Sequence, residues 1–326
     1  MLIHIYRSII RPQFTNNQLY NRQISTFLND STSPPCLPVS PVLSLPMRIN
    51  AQNFAIVLNS LIMHIPGHHR TAVLIALFIF ILAEICWSWK NDKKVYQVKD
   101  TITNLLILAG FQLSKLLFAG YQLAIMGLAT SITPFHLPHT WWTFGITFIV
   151  ADFLYYWFHR ISHIWKPLWA FHLIHHSSPL MNLTAAYRLN WFGALISPLF
   201  FVPAALIGLP ADFIIISYAL NLLYQFFLHT EVIGKLGAIE GIIDTPSAHR
   251  VHHGSNPLYI DKNFGGVFML WDRIFNTYQP ETEKVKYGLT TGFTSNRPLV
   301  LVFHGFRQWF RKPGQYKSSG ISASVE

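Results

Sequence analysis

Charged residues are scarce in this chain. Only 12% of its 326 residues are Asp, Glu, Lys or Arg, against 51% hydrophobic, where soluble domains carry about 25% charged residues. The mean hydropathy is positive, +0.32. This deficit excludes a charged disordered chain and points to an integral membrane protein. Cysteine is also sparse: Cys36 lies in a Pro/Ser-rich tract and Cys86 in an apolar run. Neither suggests a disulfide framework, a zinc ribbon or a redox pair. Acids are outnumbered, Asp+Glu 14 against Lys+Arg 24 for a net charge of +10. With no basic stripe or recognition motif, that excess argues against nucleic acid as a partner and suits anionic lipid headgroups. HExxH, Glu-x-x-His pairs, a haem-domain signature and a flavin fingerprint are missing too. Their absence tells against a zinc protease, a ferritin-like carboxylate centre and a built-in reductase.

What is present is a series of apolar runs. "TAVLIALFIFILAEICW" (71–87) is long enough, with its flanks, to cross about 30 Å of hydrocarbon. A second run covers 102–129 and contains Lys115, and a third, "TWWTFGITFIVADFLYYWF", covers 140–158. Runs at 191–209 and 212–228 are separated only by a short link containing "LPAD", which predicts a helical hairpin. The shorter stretch 53–65 reads as interfacial or re-entrant. Residues 1–50, with four Arg and one acid, resemble a transit peptide; the plainer reading is a poorly ordered extension, or an upstream start with Met47 as the functional one. The expected organisation is therefore an extension (1–50), a membrane-embedded domain (51–310) and a disordered tail (311–326).

Loop charges predict sidedness. The loop "KNDKKVYQVKD" after the first run holds four Lys, whereas "SITPFHLPHT" and the hairpin link hold no Lys or Arg. The positive-inside rule puts the first loop in the cytosol and the other two opposite. Counting crossings, the chain returns to the cytosol after the third and fifth runs. Both places are where histidines begin.

The histidines form three boxes and one single: "HRISH" (His159, His163), "HLIHH" (His172, His175, His176), His229, and "HRVHH" (His249, His252, His253). On a helix, positions i, i+3 and i+4 share a face, so each box is expected to aim its rings at one point. Imidazole is the nitrogen ligand of Zn, Fe, Cu and Ni. A catalytic zinc takes three protein ligands and would leave most of these rings unused. Eight or nine imidazoles suit two metals, and two irons would suit dioxygen chemistry on an apolar lipid, with copper left open by spacing. Lone histidines such as His136, His139 and His304 read as boundary residues.

These motifs resemble the fatty acid hydroxylase and sterol desaturase superfamily. The stretch "LNLLYQFFLHTEVIGKLGAIEGIIDTPSAHRVHHGSNPLYIDKNFGGVFMLWDRIFNTY" (220–278) with "EKVKYGLT" (283–290) is most similar to its alkylglycerol monooxygenase members. The resemblance implies a non-haem di-iron oxygenase that uses O₂ to hydroxylate or desaturate a lipid C–H bond, in the ether-cleaving members with a tetrahydropterin as electron donor. It implies the eight box histidines as metal ligands, with His229 a ninth candidate, and no further catalytic residue. Those ether-cleaving members carry a Glu directly after the second His of the first box; Ile164 stands here. The implied partners are a lipid substrate reaching the site from the bilayer and either a pterin or a separate electron-donor protein. The alternatives are a sterol or fatty-acyl desaturase or hydroxylase of the same superfamily and a membrane zinc metallohydrolase.

Four further residues carry expectations. Asp152, seven residues before His159, reads either as an acceptor for a ligand His N–H or as a pair with a neighbouring span. Glu84 is expected to snorkel toward the interface. Asn263, beside Gly265 and Gly266, reads as a ligand-contacting or a turn residue. Arg188 reads as a lipid-phosphate contact or a generic interfacial Arg. The fold expected is an all-α membrane bundle of about four or five spans with a cytosolic two-metal histidine cap, in the endoplasmic reticulum of a eukaryote or the inner membrane of a bacterium.

Overall fold

Long stretches of apolar, mostly good helix-forming residues without an interior proline become the first two helices. These are α1, Gly67–Lys90, and α2, Val98–Ser131. The computed structural model describes residues 67–309, with side chains from 71 onward. The expected extension (1–50), the stretch 53–65 and the tail 311–326 lie outside the described residues. The chain divides into two units. Residues 1–75 are described only through the first turns of α1; residues 76–326 hold everything that follows.

The remaining helices are α3 (Trp141–Ile164), α4 (Lys166–His172), α5 (Gly193–Leu206), α6 (Ala211–Phe226), α7 (Pro246–His252), α8 (Leu270–Ile274) and α9 (Pro298–Trp309). Among the described residues there are no strands, only isolated bridges that join Glu240 to Ile243 and Ile243 to Phe268. Thr140 caps α3 by accepting from the Thr143 N–H, and Thr245 caps α7 by accepting from the Ala248 N–H. All five expected runs are helical. α1, from Thr71, and α2 are long and apolar enough to cross a membrane. At 1.5 Å per residue α5 and α6 reach only about 21 and 24 Å.

Helices α2, α3, α5 and α6 meet in a core of Met126, Ala129, Ala151, Tyr155, Phe201, Ala204, Ala205 and Ile214. The small alanine side chains let the helix backbones approach closely. At one end, Thr133 donates to the Ala205 carbonyl, Leu137 N–H to the Gly208 carbonyl, and His139 lies 3.1 Å from Asp212. The α2–α3 and α5–α6 links therefore share that end. At the other end the Lys-rich α1–α2 loop meets the histidine-bearing segments: Asn182 Nδ2 donates to the Val95 carbonyl at 2.6 Å.

Two expectations fail at this end. Glu84 does not snorkel; it is 3% exposed and accepts from Tyr96 Oη, Thr230 Oγ1 and the Leu183 N–H. Three donors converge on the carboxylate, so burial is compensated. Arg188 is 1% exposed and cannot reach a lipid phosphate. Its Nη2 pairs with Asp100 Oδ1, its Nε donates to Asn104 Oδ1 and its Nη1 to Ser177 Oγ. The guanidinium is consumed in joining α2 to the residue that follows the second box.

Removing one partner of a buried ion pair leaves the other charged and unpaired, which costs about 3–5 kcal/mol. Arg188→Met is expected to destabilise the detergent-solubilised protein on that order, read by thermal unfolding. The double change Asp100→Leu/Arg188→Met should recover much of the loss.

Candidate metal centre

Box 1 occupies the last turns of α3. Box 2 begins at the C-terminus of α4 and continues into a 3₁₀ turn, His175–Ser177. Box 3 is the end of α7, and His229 follows the end of α6. These segments place all nine histidines together in two groups. His159, His163, His172, His176 and His252 form one, and His175, His229, His249 and His253 the other; within each, one nitrogen per ring lies within 4.8 Å of all the rest. Nitrogens about 2.1 Å from a common ion would sit up to about 4.2 Å apart, so a small contraction of each group would bring it to the size a metal requires. Neither includes a carboxylate.

The expectation that each box converges on one point is corrected here. His172 and His176 join one group and His175 the other; His249 and His253 join one and His252 the other. Residues four apart stay together, as do His159 and His163. The residue at i+3 lies about 100° around the helix from that at i+4 and turns to the neighbouring group.

Ring orientation shows that these rings suit cations. His159 Nδ1 donates to the Phe264 carbonyl (3.0 Å), His252 Nδ1 to the Lys262 carbonyl (3.1 Å) and His229 Nδ1 to the Gln225 carbonyl (2.8 Å). A carbonyl can only accept, so in each neutral ring Nε2 presents a lone pair inward. His229 Nε2 then faces His249 Nε2 at 3.2 Å, while His249 Nδ1 lies 3.0 Å from Asp244 Oδ2. A proton on His249 Nε2 bridges that gap as a hydrogen bond, and a cation bound to both nitrogens would take its place. The inward Nε2 atoms of His163, His252 and His253 are buried without a protein partner, as open coordination positions require.

The electrostatics agree. Burial first, then the mutual repulsion of neighbouring rings, holds His172, His176, His252 and His253 well below the usual imidazole range. The same causes act on His175 and His249, and burial lowers His229 to about 4. Neutral imidazole is the form that binds metal. Phe264 packs against His159, His163 and His252, and Trp169 against His163 and His176, walling the first group.

Residues 144–277 match the fatty acid hydroxylase family. This matched stretch is the part of the chain that resembles the family. It contains all nine histidines. Among relatives, an alkylglycerol monooxygenase of Xenopus tropicalis is 39% identical over 240 residues, covering 71% of this chain and 52% of that protein. The Homo sapiens alkylglycerol monooxygenase is 40% identical over 229 residues, 69% of this chain and 51% of its own length. An ornithine lipid hydroxylase of Rhizobium tropici is 26% identical over 231 residues, 68% of this chain and 69% of its own length. The chain thus spans about half the length of the alkylglycerol monooxygenases it matches. No solved structure matches it.

Within the matched residues, Asp152 does not bond a histidine. It accepts from Asn221 Nδ2 on α6, the Val267 and Phe268 N–H groups and Trp271 Nε1. Asn263 adopts a left-handed φ of 57° and staples Ala248 and Gln279 through three hydrogen bonds, the turn role. Ile164 is exposed at the end of α3. Gly265 and Gly266 do allow close approach, since a Cβ there would strike the Phe268 carbonyl and the Asn221 amide. Two residues were missed. Asp244 faces His249, and its position one residue before the α7 cap was the available signal. Asp272 accepts from the Phe264 and Gly265 N–H groups and Thr277 Oγ1, fixing the loop that orients His159. Nothing local in the sequence marks it.

Two outcomes follow. The histidine rings of the two groups protonate near pH 6.5 in an unfolded chain, whereas those with lowered values stay neutral in the fold. The folded state then binds fewer protons, so stability is present above about pH 6.5 and lost as pH falls. Metal-free protein is expected to show a steady unfolding midpoint from pH 8 to 7 and a falling one below about pH 6.5 in thermal scans. Asp244→Asn is expected to weaken metal retention about 10–100-fold, measured by chelator competition.

Proposed function

We propose that this protein is a membrane-bound, non-haem di-iron oxygenase that hydroxylates a C–H bond of a lipid, an alkylglycerol ether lipid being the first substrate class to test. The observation that carries the reading is the pair of all-imidazole groups, five and four rings, with lone pairs aimed inward by backbone carbonyls. His159, His163, His172, His176 and His252 would hold one iron, and His175, His229, His249 and His253 the other. Irons held there supply what no side chain can, reductive activation of O₂ for attack on an unactivated C–H bond. The chain's own residues hold the lone pairs in place, and Phe264 and Trp169 keep bulk water from the rings. The names of the relatives support a lipid substrate. Ile164 separates this chain from the ether-cleaving pattern, so a sterol or fatty-acyl substrate is the second reading.

The topology fits the same proposal. The Lys-rich α1–α2 loop and the histidines share one end of the molecule, and the positive-inside rule assigns that end to the cytosol. Electrons come from a separate donor protein or a tetrahydropterin. A cleft lined by His163, Trp169, His252, Asp261 and Thr290 is where such a donor would approach the first group.

Detergent-purified protein is expected to hold about two irons per chain, lost on His175→Ala or His252→Ala, by elemental analysis. A single zinc would overturn the oxygenase reading. Cells given alkylglycerols, sterols or long acyl lipids should form an O₂-dependent product from one class. Survival of ether lipids with tetrahydropterin supplied would shift the assignment to the second reading.

A further inference from the structure

The segment joining His229 to α7, together with α8, presents an unusual surface. Leu236, Ile239, Ile242, Leu270 and Ile274 are all exposed. The polar side chains among them are hydrogen-bonded within the segment. Glu240 accepts from the Leu236 N–H and Thr245 Oγ1, and Arg273 donates to the Gly241 carbonyl and lies over the Tyr278 ring. Lys235 has a stem long enough to carry its ammonium to an interface.

Its position along α3 decides what this surface meets. Met269 N–H donates to the Ile242 carbonyl and Asp244 N–H to the Val267 carbonyl, so 242–244 and 267–269 run side by side. That pair is bound to Asp152 on α3, and Phe268 packs on Phe148. Asp152 and Phe148 lie seven and eleven residues before His159, about 10 and 16 Å along the helix toward its Trp141 end. The segment therefore descends from the histidines to the level of Ile146 and Ile149, which are exposed on α3 itself. Its apolar surface lies at the same depth as theirs.

We infer that residues 236–242 and 270–274 form a flap immersed in the hydrocarbon of the bilayer leaflet on the histidine side. The occupant is acyl chain, because the exposed apolar surface lies at the depth of the exposed apolar residues of α3 and its Glu240 and Arg273 side chains are hydrogen-bonded to the segment itself. The histidine cap is then partly sunk in the membrane, and the strand leading to Asp244 and His249 rises out of the leaflet. A lipid arriving laterally meets this flap before it meets the rings.

The inference rests on the membrane reading, and its test separates the two. Single nitroxides would be placed by Ile239→Cys and Ile242→Cys in a Cys36→Ser/Cys86→Ser background, the full chain being reconstituted in phosphatidylcholine–phosphatidylglycerol vesicles. Collision with O₂ and with a water-soluble nickel chelate is then measured by EPR. Leu116→Cys on α2, 68% exposed, is the lipid reference, and Leu258→Cys, 47% exposed in the cap, the aqueous one. Positions 239 and 242 should match 116, with an O₂-to-nickel ratio several-fold above that at 258. Nickel access at 239 and 242 equal to that at 258, with 116 still protected, overturns the flap and leaves the membrane reading standing. Nickel access at 116 as well overturns both.

Discussion

Nine imidazoles packed in contact must be oriented by the rest of the fold if their lone pairs are to point inward together. Each ring must be held by its outer nitrogen or by packing. The fold supplies those holds from distant parts of the chain. Carbonyls of Phe264, Lys262 and Gln225 accept from His159, His252 and His229. Phe264 is itself fixed by Asp272. Helices α3, α6 and α7 and the loop 262–277 are therefore bound to one another by what the rings require. A cation in each group would bind those lone pairs together, so metal binding and folding are coupled here.

The few charged residues in the apolar regions serve the same end. Glu84 ties α1 to Thr230, the neighbour of His229. Asp100 and Arg188 tie α2 to Ser177, the neighbour of His176. Asp152 ties α3 to α6 and to the 267–271 segment. In each case a carboxylate in an apolar helix accepts several donors from the histidine-bearing segments. Hydrocarbon makes an unpaired carboxylate costly, and that cost makes such a contact strongly specific for one arrangement of helix against cap.

Much of this was legible beforehand. The apolar runs mark the helices because hydrophobic patterning acts locally, even through the two prolines inside α5. The boxes mark the metal site because i, i+4 neighbours share a helix face whatever the rest of the chain does. Readings that depended on distant partners fared worse. Arg188 and Glu84 looked interfacial because their sequence neighbours suggest it, but Asp100 lies 88 residues from the first and Thr230 146 residues from the second. Asp152 was sensed as costly and paired, but its partners on α6 and in the 267–271 segment could not be read from α3. Asp272 gave no signal, since its role exists only once Phe264 reaches His159.

The sequence alone determined that there are helices, three histidine boxes at their ends, and i, i+4 pairs that stay on one face. Tertiary structure decided how the nine rings divide into five and four. That division depends on the angle at which α3, α4 and α7 meet and on the 100° that separates i+3 from i+4, and no spacing within one helix contains the direction of another.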